Sequence, residues 1–369
     1  MFTASYRWVA LLLGILGGAL AAAAQPTFSN QGPDRPISKA ERRALVSALL
    51  DRLDALYVLP EVAARTRQAM QAQLKKGGYD HLTSSRALAA ALTIQLRELT
   101  HDQHLLVHYQ SELVPTATPD AAPTAAGQAA ARRYAERHNA GFVRVERLPG
   151  NVGYLRLDEF APAALGAAPA DAAFAFLAHT DALLLDLRHN HGGEPDMVAY
   201  LASYLFGPDS VHLNDLVQRS GPRQQTTAYW TRARVPGPRY GPAKPVYVLT
   251  SRRTFSAGEE CAYDLQALHR ATVVGETTAG GANPGEPVRL GAHFLAFIPT
   301  EQARNPLTHT NWEGTGVAPD VAVPAADALP SAHRAALTQL LAQAAAAERP
   351  ELERALKQLA PGSGPGKAE

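Results

Sequence analysis

Between Phe142 and Val323, short apolar segments alternate with segments of helical periodicity, and this alternation constrains the fold more than any other feature of the chain. Phe142 to Val145 and Val152 to Leu157 read as strands around a Pro149-Gly150-Asn151 turn. A helix from about Asp171 to Ala178 follows, then strand Ala182 to Leu187, helix Met197 to Leu205, strand Val246 to Leu249, helix Gly258 to His269 and strand Thr272 to Val274. Phe294 to Ile298 and Val321 to Val323 are later strands. Strands separated by helices run parallel with the helices packed over the sheet, so the fold class is α/β.

The N-terminal part is different. Ser38 and Glu41 have capping-box spacing, followed by Leu45, Leu49, Leu53 and Leu56 at helical intervals. A second helix runs from Pro60 to Gly77-Gly78, and a third follows Thr83, with Leu88, Leu92, Leu96 and Leu99 on one face. Three short amphipathic helices predict a small helical bundle over 37–109. Residues 110–140 begin with a stretch dense in Ala, Pro and Thr and read as a linker; 141–330 form the core, 331–358 a C-terminal helix and 359–369 a disordered tail.

At 369 residues, 46% hydrophobic and 19% charged, the composition is globular. The 35 Lys and Arg nearly balance the 34 Asp and Glu, without a run of like charge, so nothing marks a nucleic acid or an anionic membrane as partner. Residues 1–24 place Arg7 before an apolar stretch from Trp8 to Leu20 and then Ala21 to Ala24, the order of a secretory signal peptide. The apolar stretch falls short of the ~20 residues a spanning helix needs, so no stable membrane span is expected after its removal. The expected location is periplasmic or extracellular. Cys261, the single cysteine, precludes an intrachain disulfide and suits a small buried hydrophobe. No cofactor or metal is expected: His189 and His191 alternate on a loop with no third ligand in view.

Three segments carry chemistry. Thr250-Ser251-Arg252-Arg253-Thr254-Phe255-Ser256-Ala257-Gly258-Glu259-Glu260 leaves a strand and opens a helix, with Ser256 at the junction. Unpaired amides at a helix start can bind an oxyanion, and Ala257 N–H is one; a serine here also suits a helix cap. Asp186-Leu187-Arg188-His189-Asn190-His191-Gly192-Gly193 leaves another buried strand, and its glycines permit close approach of backbone to a bound group. Gly275-Glu276-Thr277-Thr278-Ala279-Gly280-Gly281-Ala282-Asn283-Pro284 lacks the ending of a phosphate-binding loop and reads as a cleft wall.

In this order the segments resemble the tail-specific, or C-terminal-processing, serine peptidase family, in particular the branch of tricorn protease and interphotoreceptor retinoid-binding protein. The resemblance runs from about Phe142 to Val323 and more loosely over the helical bundle. It implies a crotonase/ClpP-like core of β-β-α units and cleavage of peptide or protein substrates through an acyl-enzyme. Ser256 matches the nucleophile; Ala257 and Gly192 match the oxyanion donors, with Gly193 the neighbour that can be confused with Gly192. The dyad lysine of bacterial members is absent, since Gly281 stands in its place.

The base must then come from elsewhere. His104, in Leu99-Thr100-His101-Asp102-Gln103-His104-Leu105-Leu106-Val107, matches the histidine that ends a helix before a strand in tricorn-like relatives, with His101 as the backup. An imidazole, with an ordinary pKa near ~6.5, can accept a proton at neutral pH. Glu313, in Asn311-Trp312-Glu313-Gly314-Thr315-Gly316, matches the carboxylate that orients the base, whereas Asp320 after Pro319 suits a turn. The alternative is a non-catalytic binding protein for an apolar ligand or peptide, as in the retinoid-binding relatives.

Overall fold

A computed structural model describes residues 32–114, 125–220 and 223–359. The expected signal peptide and nearly all of the expected tail lie outside these residues. In chain order the elements begin with helices α1 (Lys39–Leu56), α2 (Pro60–Lys75) and α3 (Ser85–Thr100), strand β1 (Leu106–Tyr109) and helix α4 (Ala125–Arg137). Next come β2 (Phe142–Leu148), β3 (Val152–Leu157), α5 (Ala163–Leu177), β4 (Ala182–Asp186), α6 (Pro195–Ala202), β5 (His212–Ser220), β6 (Arg223–Trp230), β7 (Val246–Thr250) and α7 (Ala257–Ala267). The chain closes with β8 (Thr272–Gly275), β9 (Gly285–Arg289), β10 (Phe294–Pro299), β11 (Glu301–Arg304), β12 (Val321–Ala322), α8 (Ala325–Gln343) and α9 (Arg349–Gln358).

These elements form two compact units. One holds the described residues up to Arg133 with Asp215–Thr227 and Gly281–Arg304; the other holds Tyr134–Asn214, Ala228–Gly280 and the described residues from Asn305 onward.

In the first unit, α1 starts where the Ser38 side chain accepts the Glu41 N–H and the Glu41 carboxylate accepts the Ser38 N–H. Its buried stripe includes Leu45, Val46, Leu49 and Leu53. That stripe packs with Leu88, Leu92 and Leu96 of α3 against Val107, Phe294, Ala296 and Ile298. These four belong to the antiparallel sheet β1-β10-β9, in which Leu106 pairs with Phe297. The unit is thus helices on a sheet, where local periodicity had read a bundle confined to 37–109. Strands from some 180 residues downstream complete it. Leu99, placed on the buried face by its spacing, is exposed instead, in the last turn of the helix.

In the second unit a six-stranded sheet has the order β12-β8-β7-β4-β3-β2. Its strands are parallel except β2, which is antiparallel to β3 across the Gly150-Asn151 turn. Strands β4 and β7 are buried along their whole length, as parallel strands covered on both faces must be. Leu184, Tyr247, Leu249 and Val274 share a core with Ala328, Ala332, Ala336 and Leu337 of α8. The α/β expectation holds, and the central sheet is mixed.

Several local boundaries differ from the sequence reading. Helix α5 begins eight residues before Asp171, because Pro162 precedes its first turn and Pro169 is accommodated within it. Helix α4 occupies part of the stretch read as linker, where a run of alanines supplies helix propensity despite the weak pattern. The C-terminal helix is two helices, α8 and α9. Among the described residues, no helix is long and apolar enough to cross a membrane.

Candidate active site

Strand β7 ends at Thr250, and the turn that follows is knitted to the exit of β4. The Ser251 hydroxyl donates to the Arg188 carbonyl at 2.6 Å, the Thr254 hydroxyl to the Leu187 carbonyl at 2.8 Å, and the Phe255 N–H to the Asn190 carbonyl at 3.0 Å. The two exit loops therefore form one body. Ser256 emerges from it with φ 53° and ψ −124°, a conformation that L residues rarely adopt and that costs about 1–3 kcal/mol. Ordinary capping residues sit in the extended region, so Ser256 occupies the cap position in a backbone state that capping does not require.

What holds that state is Glu259, which the sequence reading did not single out. Its fully buried carboxylate accepts the Ser256 N–H at 3.0 Å, the Gly280 N–H at 2.7 Å and the Thr278 hydroxyl. Ser256 and Glu259 have the same spacing as Ser38 and Glu41, so the capping-box signal was present at this helix too. One carboxylate thereby joins the nucleophile turn to the Gly-rich loop after β8.

Gly192 lies against the serine. A Cβ added to it would stand 2.7 Å from Ser256 Cβ and 3.2 Å from Oγ, and its φ is 107°. Its amide, however, donates to Asn190 Oδ1 at 2.9 Å. Asn190 is fully buried and is itself fixed by donating to the Leu157 carbonyl at 3.0 Å. The Gly192 amide thus already has an acceptor, and its missing side chain leaves room beside Ser256. The Ala257 N–H stands in the first turn of α7, where helices leave amides without an intrahelical acceptor.

The closing segment belongs to the same unit. Trp312 is buried, with its ring 5.3 Å from that of Tyr263 on α7. The Gly314 N–H donates to the Gly280 carbonyl at 3.0 Å, and Gly316, φ 72°, comes too close to the Thr278 carbonyl for any side chain. Between these anchors Glu313 is half-buried, its N–H donating to Asn311 Oδ1 at 2.9 Å. Asp320, read from sequence as a turn residue, ties distant elements together: its carboxylate accepts the Val273 N–H at 2.7 Å and Gln266 Nε2 at 2.9 Å.

Deeper in α7 lies a set of buried acids. Burial, with the Glu194 charge beside it, pushes Glu260 up to about 8, and burial beside Glu260 pushes Asp264 well up. Asn305 Nδ2 donates to Asp264 Oδ1 at 3.0 Å. Cys261 is wholly buried between them, and burial raises its thiol, which rules it out as the nucleophile at neutral pH.

His104 belongs to the first unit. Helix α3 ends at His101, whose left-handed φ of 59° turns the chain and leaves that residue exposed. Three residues on, His104 is buried, its ring stacked on Phe297 with centroids 6.1 Å apart. Burial, aided by the Arg97 charge, lowers its pKa to about 3, so the ring is neutral at pH 7. The structure thus separates the two histidines: one is solvent-facing, the other enclosed and neutral, with a basicity that burial lowers. Ser256, Ala257 and Gly192 come together in the second unit, with Glu313 in that unit's closing segment.

Residues 151–323 match the model of peptidase family S41, and residues 38–137 match the model of the N-terminal domain of peptidase S41 in eukaryotic IRBP. The fold is similar to that of a putative peptidase from Parabacteroides merdae, at 19% identity and TM-score 0.52, over 77% of this chain and 90% of that one. It is similar as well to a lipoprotein from Streptococcus agalactiae, at 15% identity and TM-score 0.52, over 83% of this chain and 98% of that one.

Proposed function

The chain belongs to peptidase family S41, and on that premise we propose that it is a serine-type endopeptidase with Ser256 as nucleophile and His104 as general base. Peptidase action follows from the family; the residue roles are our reading. The observation that carries it is the backbone of Ser256, held at φ 53° at a strand-to-helix junction with a glycine vacating the space beside its hydroxyl. A structural cap needs neither feature.

In the proposed reaction Ser256 Oγ attacks the scissile carbonyl carbon while His104 takes the hydroxyl proton. The amides of Ala257 and Gly193 hold the oxyanion; Gly193 replaces Gly192 because the Gly192 amide is bonded to Asn190. Collapse breaks the C–N bond, His104 returns the proton to the leaving amine, and water then cleaves the acyl-enzyme with His104 again as base. Glu313 steadies the imidazolium. We include export in the proposal, on the order of residues 1–24; a mature N-terminus beginning after Ala24 would support it, and an intact Met1 in the exported fraction would refute it.

A fluorophosphonate probe, which reacts with activated serines, tests the assignment. The protein should be labelled, Ser256→Ala should abolish labelling, and His104→Ala should slow it at least ~100-fold while His101→Ala leaves it unchanged. Undiminished labelling of Ser256→Ala would overturn the nucleophile, and undiminished labelling of His104→Ala would overturn the base.

A further inference from the structure

Beside His104, in the same unit, lies a carboxylate that the proposed mechanism does not use. Asp102 is 1% exposed. Its Oδ1 accepts the His104 N–H at 3.0 Å, and its Oδ2 accepts both the Tyr57 hydroxyl and Asn283 Nδ2, each at 3.0 Å. The Leu105 N–H is a further donor. These donors come from the turn itself, from the residue that ends α1 and from the end of the Gly-rich loop. Donors at every side suit a carboxylate, which offers about four acceptor sites and no proton. Burial raises its pKa above the ordinary carboxylate value, against the hydrogen bonds from Asn283, Tyr57, His104 and Leu105, which favour the ionised form. One carboxylate oxygen lies within 4.8 Å of a ring nitrogen of His104. The nearby cation is Arg97, whose Nε donates to the Leu105 carbonyl at 3.0 Å and whose charge disfavours the imidazolium.

The bond from the His104 amide to Asp102 Oδ1 is an Asx-type turn, which an asparagine would make equally well. At Oδ2 a carboxylate accepts from the Tyr57 hydroxyl and the Asn283 amide as they stand, whereas an asparagine NH₂ would require each to turn an acceptor oxygen toward it. A turn former does not need burial under Tyr57 and Asn283. An anion fixed beside a base does need it, since the charge must stay in place while the ring gains a proton in an enclosed setting next to Arg97.

We propose that Asp102 is a positioning residue for His104, fixing the turn that carries the ring and supplying the negative charge that the forming imidazolium requires. The inference rests on the reading of His104 as the base. It names a carboxylate from the base's own turn, in addition to Glu313.

The test is the rate of Ser256 labelling by the fluorophosphonate at pH 7 in the full chain, measured in a double-mutant cycle with His104→Ala, with thermal melting as the control for folding. Asp102→Asn keeps the Asx turn and removes the charge, and it should slow labelling at least ~10-fold, because an opposite charge within ~4–6 Å favours the imidazolium by about one pKa unit. Tyr57→Phe removes a donor that holds the carboxyl ionised, so it should slow labelling in the same direction and by less. In a His104→Ala background neither change should slow labelling further. If His104→Ala labels as fast as the parent, the base assignment fails. If His104→Ala is slow while Asp102→Asn and Tyr57→Phe label at the parental rate, or slow labelling equally without His104, only the role of Asp102 fails. Should Asp102→Asn not fold, Tyr57→Phe with and without His104 decides alone.

Discussion

Replacing Glu259 by alanine removes the acceptor of three donors at once: the Ser256 and Gly280 amides and the Thr278 hydroxyl. Each buried donor left without a partner costs about 1–3 kcal/mol. The side chain is wholly buried, so water reaches the vacated space only by opening the turn. Against this, Ser256 is released from a backbone state that costs about 1–3 kcal/mol. The net expectation is a loss of about 3–5 kcal/mol, a large part of the ~5–15 kcal/mol that folds a typical domain. Glu259→Gln separates stability from chemistry. Its amide oxygen can still accept the Gly280 and Thr278 donors, while its NH₂ faces the Ser256 N–H, so it should lose only about 1–2 kcal/mol. Fluorophosphonate labelling should fall in both variants by at least ~100-fold, since the nucleophile is no longer held at φ 53°. Urea unfolding gives the stabilities and labelling at saturating probe gives the rate. Labelling of Glu259→Gln at the parental rate, or a loss below ~1 kcal/mol in Glu259→Ala, would refute the reasoning.

Gly192→Ala places a methyl 2.7 Å from Ser256 Cβ at a φ of 107°, and labelling should drop at least ~100-fold, equivalent to about 3 kcal/mol; a drop under ~3-fold would contradict the packing. Glu260 is held up at about 8 in the fold, against about 4.3 in an unfolded chain, so the folded state binds the extra proton between those values. Its stabilising effect is complete below pH ~4.3 and is lost as pH rises through about 8. Melting temperature should therefore fall between pH 5.5 and pH ~8.5, with Glu260→Gln flattening the decline; an unchanged slope in that variant would sink the idea. Cys261 should resist a thiol reagent in native buffer and react once in denaturant, and reaction in the native state would show that α7 opens.

Much of the second unit was legible because its signals are local. A buried parallel strand reads as an apolar run, and a glycine pair or a serine at the strand exit reads as a turn poised over a helix start, so Ser256 and Ala257 could be placed by inspection. Glu259 is legible as well, three residues after Ser256, at the same spacing as Ser38 and Glu41. The choice between Gly192 and Gly193 was not legible. What no local pattern shows is that the Gly192 amide is taken by the Asn190 side chain, which is anchored to the Leu157 carbonyl 33 residues away. Leu99 has the spacing of a buried residue, but spacing cannot say that the partner surface ends one turn earlier.

The sequence by itself determined the α/β class, the strand-helix junction that bears Ser256, and the absence of the dyad lysine at Gly281. The first two follow from order within a few residues, where backbone propensity and periodicity act, and the third is what the resemblance to the family implies for that loop. Tertiary structure alone decided that α1 and α3 pack on β1 and β10, and that His104, not His101, is enclosed. It alone decided that Asp102 is fixed by Tyr57 and Asn283, which stand 45 and 181 positions away. Burial and hydrogen bonding between distant segments set the protonation of a side chain, and no local pattern encodes the direction from which a donor or a ring arrives.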